Sequence, residues 1–240
     1  MDFEFRFNCK IFITKHEGFM PRRVTSGVEF VTNAPCKYSN QTVEVYVEPA
    51  NSAVLEEWHK NVQLPHIDTD GKRIDNGWNW VFFNTGQRKL GELLGQEPEC
   101  YSICVKNNYT NIPMALVYVA ENMETLYNKE SRSCYIWYFA TAPDAYSKQF
   151  VDLDEIPKLG RLCVDIAISR SFCRKHSGVI GLHAAPTGGD KLLHFFQNHC
   201  GLNRLGNDVE ITGDKENDGR YFYADEALAL ELSQAFDHLR

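Results

Sequence analysis

The sequence has 240 residues, a formal net charge of −7, 43% hydrophobic residues and 24% charged residues. This composition is typical of a globular domain with an ordinary core, so we expect one domain with an elaborated N-terminus rather than two domains. The acidic balance and the lack of a basic patch disfavour a nucleic-acid partner. No apolar run approaches the ~18 residues that span a bilayer and no signal peptide is visible, so we expect a cytoplasmic protein without a membrane segment.

The cysteines and histidines indicate neither a disulfide framework nor a metal site. Eight cysteines are sparse for a disulfide scaffold, and most lie in apolar segments, where cysteine acts as a small hydrophobic residue. We predict that they are reduced and buried. His194 and His199 lie five residues apart, a spacing that does not place two side chains on one face of an α-helix. No metal site is therefore expected.

The N-terminal part of the chain shows the alternation of β-strands. Apolar residues alternate with charged or polar ones from Phe3 to Phe7 and again from Val43 to Val47, and turn residues separate the two stretches. We predict a β extension over residues 1–40 and a single compact domain over residues 41–240. The strand near Val43 would be the first strand of that domain.

Two helices and a hairpin are predicted next. The first helix begins at Asn51 or Ser52 and ends near Pro65. A polar, turn-rich segment and the aromatic run 78–83 follow, and a second helix extends over 87–94 until Gly95 ends it. The strands 100–106 and 113–121 then form an antiparallel pair.

The segment from 134 to 223 alternates strands and helices. We predict strands at 134–142, 179–185 and 221–223, and helices at 159–175 and 190–200, the last capped by Asp190 and ended by Gly201. A turn that opens a helix with glycine presents unpaired amides, which together with the helix dipole favour an anion such as a pyrophosphate. The turn at 158–162 is therefore a candidate phosphate site, with plain turn chemistry as the alternative.

Four stretches carry a resemblance to a known family: CYIWYFATAP, PKLGRLCVDIAISRSF, GVIGLHAAPTGGDKLLHFFQNHCG and GRYFYADEAL. Through them, residues 101–225 resemble the GNAT superfamily of acetyl-CoA-dependent N-acetyltransferases. The resemblance implies a GNAT-like α/β (α+β) fold: a mixed, mostly antiparallel, twisted sheet with helices on both faces. Two central strands would diverge at 140–143 and 182–185 and leave a wedge for the cofactor. The chain departs from the family pattern at the phosphate loop, where Gly160 alone matches the signature, and in the last helix, which has no Tyr.

The resemblance also implies the substrates and the cofactor site. Acetyl-CoA would be the acyl donor, and the primary amine of a small molecule or a protein would attack it directly in a ternary complex. The pantetheine arm would follow Phe139, Ala140, Thr141 and Ala142, whose N–H groups would stabilise the oxyanion of the intermediate. The pyrophosphate would lie on Lys158, Leu159, Gly160, Arg161 and Leu162.

The sequence offers several candidate catalytic groups. An alkyl amine is mostly protonated at pH 7, so a general base is needed, and His183, Asp144 and Glu121 are the candidates. Tyr138 is a candidate proton donor to the thiolate, because the last helix lacks a Tyr. Two alternatives stay open, a GNAT-like binding or interaction protein without catalysis and a transferase for a longer thioester. Candidates for acceptor contact are Asp68, Asp70, Asp75, Trp78 and Trp80.

Overall fold

The computed structural model describes residues 29–107, 110–212 and 216–240. Its strands are β1 (Asn33–Pro35), β2 (Thr42–Glu44), β3 (Tyr46–Pro49), β4 (Pro98–Asn107), β5 (Thr110–Glu124), β6 (Arg132–Thr141), β7 (Ile180–His183), β8 (Asn203–Arg204) and β9 (Tyr221–Ala224). β1 and β2 form a small antiparallel sheet. The main sheet has the order β3-β4-β5-β6-β7-β9-β8. Its neighbouring strands are antiparallel, except that β6 and β7 are parallel.

The helices pack on the main sheet. They are α1 (Ser52–Trp58), α2 (Trp80–Phe82), α3 (Arg88–Leu93), α4 (Asp144–Ser147), α5 (Gly160–Cys173), α6 (Gly189–His194) and α7 (Glu226–Gln234). Three of them continue as π-helical turns, α1 over His59–Ile67, α2 over Phe83–Gln87 and α6 over Phe195–His199. None of the helices in the described ranges combines the length and apolar character needed to cross a membrane.

The predicted fold class, a mixed and mostly antiparallel sheet with helices packed on it, is confirmed. α1 and α5 both pack against β5, and α7 packs against α5. α5 is buried over most of its length, as its wide apolar arc predicts. One large core cluster joins the sheet and these helices, and it includes five of the six buried cysteines of the described ranges. The sixth, Cys36, is buried outside this cluster. The six buried cysteines are free thiols, as predicted.

The single strand predicted near Val43 is instead two strands in two sheets. Val45 lies between β2 and β3, is almost fully buried, and donates its N–H to the Thr32 carbonyl at 2.8 Å. The chain therefore passes from the small sheet to the main sheet at this residue. The predicted strand from Phe3 to Phe7 lies outside the described residues, and a domain division at residue 40 stays a prediction.

Two helix predictions need correction. The second predicted helix begins earlier, at Trp80, because the side chain of Asn79 accepts the N–H of Phe82 at 2.9 Å and caps the aromatic run. Asp190 does not cap α6, since that helix begins one residue earlier and Gly188 occupies the N-cap position.

The prediction that His194 and His199 lie on different helix faces is also wrong. Their ring centroids are 5.3 Å apart. The physical reason is the π-helical turn Phe195–His199, in which the backbone bonds from i to i+5 and brings side chains five residues apart to the same side. Both side chains are exposed.

A buried ion pair attaches α5 to the end of the described chain. Arg240 Nη2 donates to Asp165 Oδ1 at 2.8 Å, and Asp165 is 1% exposed. Burial raises the pKa of Asp165 from its ordinary 3.8 to about 6, although Arg240 acts in the opposite direction. The pKa of Asp165 is higher in the folded state than in the unfolded state, so ionisation of this carboxyl opposes folding. The stability that the protonated carboxyl contributes is therefore lost as pH rises from 3.8 to about 6.

We expect Asp165→Asn to remove this pH dependence. Between pH 4 and pH 7 the unfolding free energy of the unmodified protein should fall relative to that of the variant, by on the order of 1–3 kcal/mol. Urea titrations at several pH values measure the difference. Asp237→Asn is the matched control, because Asp237 contacts the same arginine at 3.6 Å but is 63% exposed. Stability curves of Asp165→Asn that run parallel to those of the unmodified protein would contradict the assignment.

Candidate active site

The two parallel strands of the sheet separate and leave a gap. β6 and β7 pair only where Cys134, Tyr135 and Ile136 face 180–182. β6 then continues along β5 as far as Thr141, whereas β7 ends at His183. Trp137 lies at the point of separation and has no partner on β5, which makes it the extra residue of a β-bulge. A bulge bends its strand and re-aims its side chains, so the divergence begins at Trp137, directly after the last β6–β7 pair and earlier than the sequence predicts.

A cavity of about 900 Å³ occupies this gap. Residues of four regions line it: from β6, Tyr135, Ile136, Trp137, Tyr138, Phe139, Ala140 and Thr141; from β7 and β9 with their flanks, Leu182, His183, Ala185, Pro186 and Tyr221; from α6 and its continuation, Leu192, Phe195 and Phe196; and from the segment between α1 and β4, Arg73, Ile74, Asp75, Trp78, Gln87, Leu90, Leu94 and Gln96. Most of these side chains are apolar or aromatic, as is typical of a small-molecule site.

Tyr138 is held by a cluster of aromatic rings at the cavity wall. Its ring stacks on Phe83 with centroids 4.2 Å apart and meets the edge of Trp78 at 5.0 Å. Gln87 Nε2 donates to its hydroxyl oxygen at 3.3 Å. Packing and this hydrogen bond fix the ring, and the hydroxyl hydrogen of Tyr138 stays available to an acceptor in the cavity.

The loop that follows the first helical segment closes one side of the cavity. Gln63, which is fully buried, donates from Nε2 to Asp68 Oδ1 at 2.6 Å and to the Asp75 carbonyl at 2.8 Å. Arg73 donates twice to the Asp75 carboxylate, at 2.9 and 2.7 Å, and once to the Thr141 carbonyl at 2.9 Å. The loop is therefore tied to the end of β6, and its charges at the cavity neutralise one another.

His183, which lines the cavity, forms a second polar pair with Asp218, which does not line it. His183 Nε2 lies 3.0 Å from Asp218 Oδ2, and its ring lies 4.4 Å from that of Tyr221. Burial raises the pKa of Asp218, but the hydrogen bonds from His183 and from the Arg220 N–H, together with the nearby charge of Arg220, outweigh burial, and the pKa is lowered. Asp218 is thus an ionised carboxylate that orients the imidazole. The sequence analysis did not name Asp218 as a candidate. His183 of β7 pairs with Tyr221 of β9, and this pairing places the segment before β9 beside His183.

The predicted pantetheine residues lie mostly at the cavity. Phe139, Ala140 and Thr141 line it, whereas Ala142 lies outside the lining and donates its N–H to the Met114 carbonyl at 2.7 Å. Beyond Ile136 the edge of β6 that faces β7 has no strand partner in the described ranges. Main-chain groups on this edge are therefore free to bind a peptide-like ligand.

The predicted phosphate turn borders the cavity but does not line it. The N–H groups of Gly160, Arg161 and Leu162 have no hydrogen-bond partner among the residues that the structure describes, which suits an anion. Phe195, a lining residue, closes one side of this turn: a Cβ at Gly160 would lie 2.6 Å from its ring. The Arg161 guanidinium lies over the Phe236 ring at 5.1 Å. Lys158 is exposed, while Leu159 and Leu162 are buried.

Two candidate bases are engaged elsewhere. The carboxylate of Asp144 accepts hydrogen bonds from Lys37 and Tyr38; burial would raise its pKa, but the Lys37 contact lowers it. Glu121 is 1% exposed and accepts from Arg170 at 2.8 Å and from Arg174 at 2.6 Å. Neither residue lines the cavity. The structure thus brings His183 and Tyr138 to the cavity and leaves Asp144 and Glu121 outside it.

Of the predicted acceptor contacts, Asp75 and Trp78 line the cavity. Asp68 and Asp70 do not, and Trp80 is buried in the core beside Trp58. Gln87, Leu90 and Leu94 also line the cavity. They were not among the residues named as candidates, because the sequence pattern of a short helix does not show which of its side chains face a neighbour.

Comparison with known proteins supports no transfer of function. No protein-family model matches the sequence, and no curated protein matches it. Solved structures that are similar include spermidine N-acetyltransferase from Vibrio cholerae in complex with CoA and spermine, with a TM-score of 0.48 and 15% identity over 78% of this chain and 98% of that chain. A GNAT-family acetyltransferase from Staphylococcus aureus Mu50 gives a TM-score of 0.46 and 14% identity over 76% of this chain and 99% of that chain.

An acetyltransferase from Streptococcus agalactiae 2603 gives a TM-score of 0.45 and 10% identity over 75% of this chain and 96% of that chain. The neighbours are acetyltransferases, and the Staphylococcus aureus protein belongs by name to the GNAT family that the sequence resembles. At such low identities and TM-scores, nothing about the substrate, ligand or partner of this chain follows. The fold class rests on the strand order itself.

We expect Gly160 and Phe195 to be energetically coupled. Gly160→Ala should destabilise the protein by about 1 kcal/mol, because the new methyl group must displace the Phe195 ring. In a Phe195→Ala background the same change should be neutral or stabilising, since alanine is the better helix former. A double-mutant cycle from urea unfolding measures the coupling. Additive effects of the two substitutions would show that the contact carries no energy.

Proposed function

We propose that this protein is an N-acetyltransferase that transfers the acetyl group of acetyl-CoA to a primary amine by direct attack in a ternary complex. The observation that carries the proposal is the separation of the parallel strands β6 and β7, which opens the cavity against an unpaired edge of β6. Acetyl-CoA supplies an acetyl group already activated as a thioester. The amide-containing arm of the donor can extend the sheet along this edge, as an added strand does.

The residues around the cavity suit the two ends of this donor. The edge of β6 from Tyr138 to Thr141 would hold the pantetheine arm, and main-chain N–H groups there would stabilise the oxyanion. The unpaired amides of the first turn of α5 would hold the pyrophosphate, with Lys158 and Arg161 adding positive charge. Phe195 closes one side of that turn, so the pyrophosphate would bind from the other, exposed side.

His183 is the general base in this proposal. An amine must lose a proton to attack, and a neutral imidazole at the cavity can accept it. The Asp218 carboxylate at 3.0 Å orients the ring and stabilises the imidazolium that forms. As the amine nitrogen bonds to the carbonyl carbon, the C–S bond breaks, and the hydroxyl of Tyr138 donates a proton to the departing sulfur.

A second function, that of a binding or interaction protein without catalysis, has one observation in its favour. Phe195 fills the space beside Gly160 that the resemblance reserves for a phosphate loop. Measurement of donor binding and of turnover separates the two functions.

We expect acetyl-CoA to stabilise the fold. A concentration about 100 times the dissociation constant adds about 2.7 kcal/mol to the unfolding free energy, which raises the melting temperature by several degrees. Lys158→Glu should weaken the effect by placing a negative charge at the pyrophosphate. Lys148→Glu, a change of equal charge at another exposed lysine, should not. A melting temperature that stays constant up to millimolar acetyl-CoA would contradict the proposed donor site.

We expect His183→Gln to lower kcat about 100-fold or more, because it removes the base and keeps a polar side chain of similar reach. Asp218→Asn should cause a smaller loss of kcat, since the ring keeps its place without the carboxylate charge. The dissociation constant of acetyl-CoA should not change in either variant. Asp208→Asn, in the same loop and exposed, is the control. Unchanged turnover in His183→Gln would exclude this residue as the base.

A further inference from the structure

The walls of the cavity discriminate between classes of amine. We propose that the acceptor is a primary monoamine with an apolar body, alkyl or aromatic, and that polyamines are poor ligands. The inference names the substrate class of the site described above and rests on the proposed function. It follows from the charges at the cavity, from the aromatic wall and from an apolar extension of its mouth.

The cavity leaves no carboxylate for a second ammonium group. Among the described residues that line it, the charged ones are Arg73 and Asp75. Asp75 is 2% exposed and already receives two hydrogen bonds from Arg73, at 2.9 and 2.7 Å. A diamine or polyamine in this cavity would therefore desolvate a second positive charge without a partner, which is costly.

One ammonium group can be accommodated. Trp78, Trp137 and Tyr138 line the cavity, and aromatic rings can attract a cation. Gln87 Oε1 is a buried acceptor without a hydrogen-bond partner among the described residues, and such a group favours a single N–H donor. The His183 imidazole can then remove one proton from the bound amine.

The mouth of the cavity continues as an exposed apolar surface on α3. Leu90 and Leu94 line the cavity and are 59% and 64% exposed. They lie four residues apart and therefore on the same side of the helix. Gly91, next to Leu90, lets the helix approach the sheet closely: a Cβ at Gly91 would lie 2.7 Å from Pro98 Cγ and 3.3 Å from Trp137. An exposed apolar surface continuous with a cavity suits the body of an apolar ligand.

A pair of amines of equal length tests the proposal. Heptylamine and 1,6-diaminohexane differ in that a terminal methyl group replaces an ammonium group. Each is titrated by calorimetry into the full chain, with and without saturating coenzyme A. Heptylamine should bind at least about tenfold more tightly, and lengthening the alkyl chain from four to seven carbons should tighten binding about two- to fourfold per methylene. Equal or tighter binding of the diamine, or no saturable binding of heptylamine, would overturn the proposal.

Substitutions on α3 locate the site. The double variant Leu90→Gln and Leu94→Gln should weaken heptylamine binding roughly tenfold, since it removes the apolar mouth. Leu93→Gln is the matched control, because Leu93 is 84% exposed and does not line the cavity. These are exposed positions and glutamine is a good helix former, so the fold should persist. An equal loss of heptylamine binding in Leu93→Gln would contradict the placement of the amine site beside Leu90 and Leu94.

A separate titration with acetyl-CoA distinguishes the two proposals. Heptylamine binding without acetyl-CoA binding would contradict the transferase function and support an apolar monoamine site. Acetyl-CoA binding with acetylation of spermidine in preference to heptylamine would overturn the substrate class and leave the transferase function in place.

Discussion

The separation of β6 from β7 at Trp137 is the constraint on which the rest of the site depends. β6 stays paired with β5 to Thr141, and the bulge at Trp137 bends it at the point where β7 leaves. The sheet thus acquires an internal edge near its centre, with main-chain donors and acceptors that water or a ligand must satisfy. An ordinary sheet edge invites another chain, but this one is enclosed by a loop on one side and by α6 on the other. The result is a cavity with a polar backbone edge and apolar side-chain walls.

Charged groups near this cavity are paired, and the pairing determines which residues are left for chemistry. Arg73 neutralises Asp75 and at the same time fastens the loop to β6. Away from the cavity, Glu121 of β5 is bound by Arg170 and Arg174 of α5 and its C-cap, which lower its pKa despite burial and join the sheet to the helix. The pair of His183 and Asp218 differs because both members are partly exposed and one of them borders the cavity. Proton transfer can therefore be assigned to it without breaking a buried ion pair.

Phe195 links the cavity to the start of α5. It begins the π-helical turn that follows α6, lines the cavity, and packs on Gly160 at the start of α5. The widened turn also brings His194 and His199 together, although their spacing in the sequence suggests separate faces. One local change in helix geometry thus affects both the packing against Gly160 and the exposed side of α6.

Local pattern in the sequence determined the elements themselves: α5 from its apolar arc, and β6 and β7 from their apolar runs. The resemblance to a family added Phe139 to Ala142, Tyr138 and His183 as site candidates, and all of these except Ala142 line the cavity. The predictions of elements succeed because hydrogen bonding and burial within one element depend on residues near in the chain. Only the tertiary structure decided that Asp218 reaches His183, that Gln87 reaches Tyr138, and that Asp144 and Glu121 are held by basic partners away from the cavity. Such contacts join segments 35 to 107 residues apart. Which side chains meet across that distance is set by strand order, a bulge and helix packing, none of which has a local pattern in the sequence.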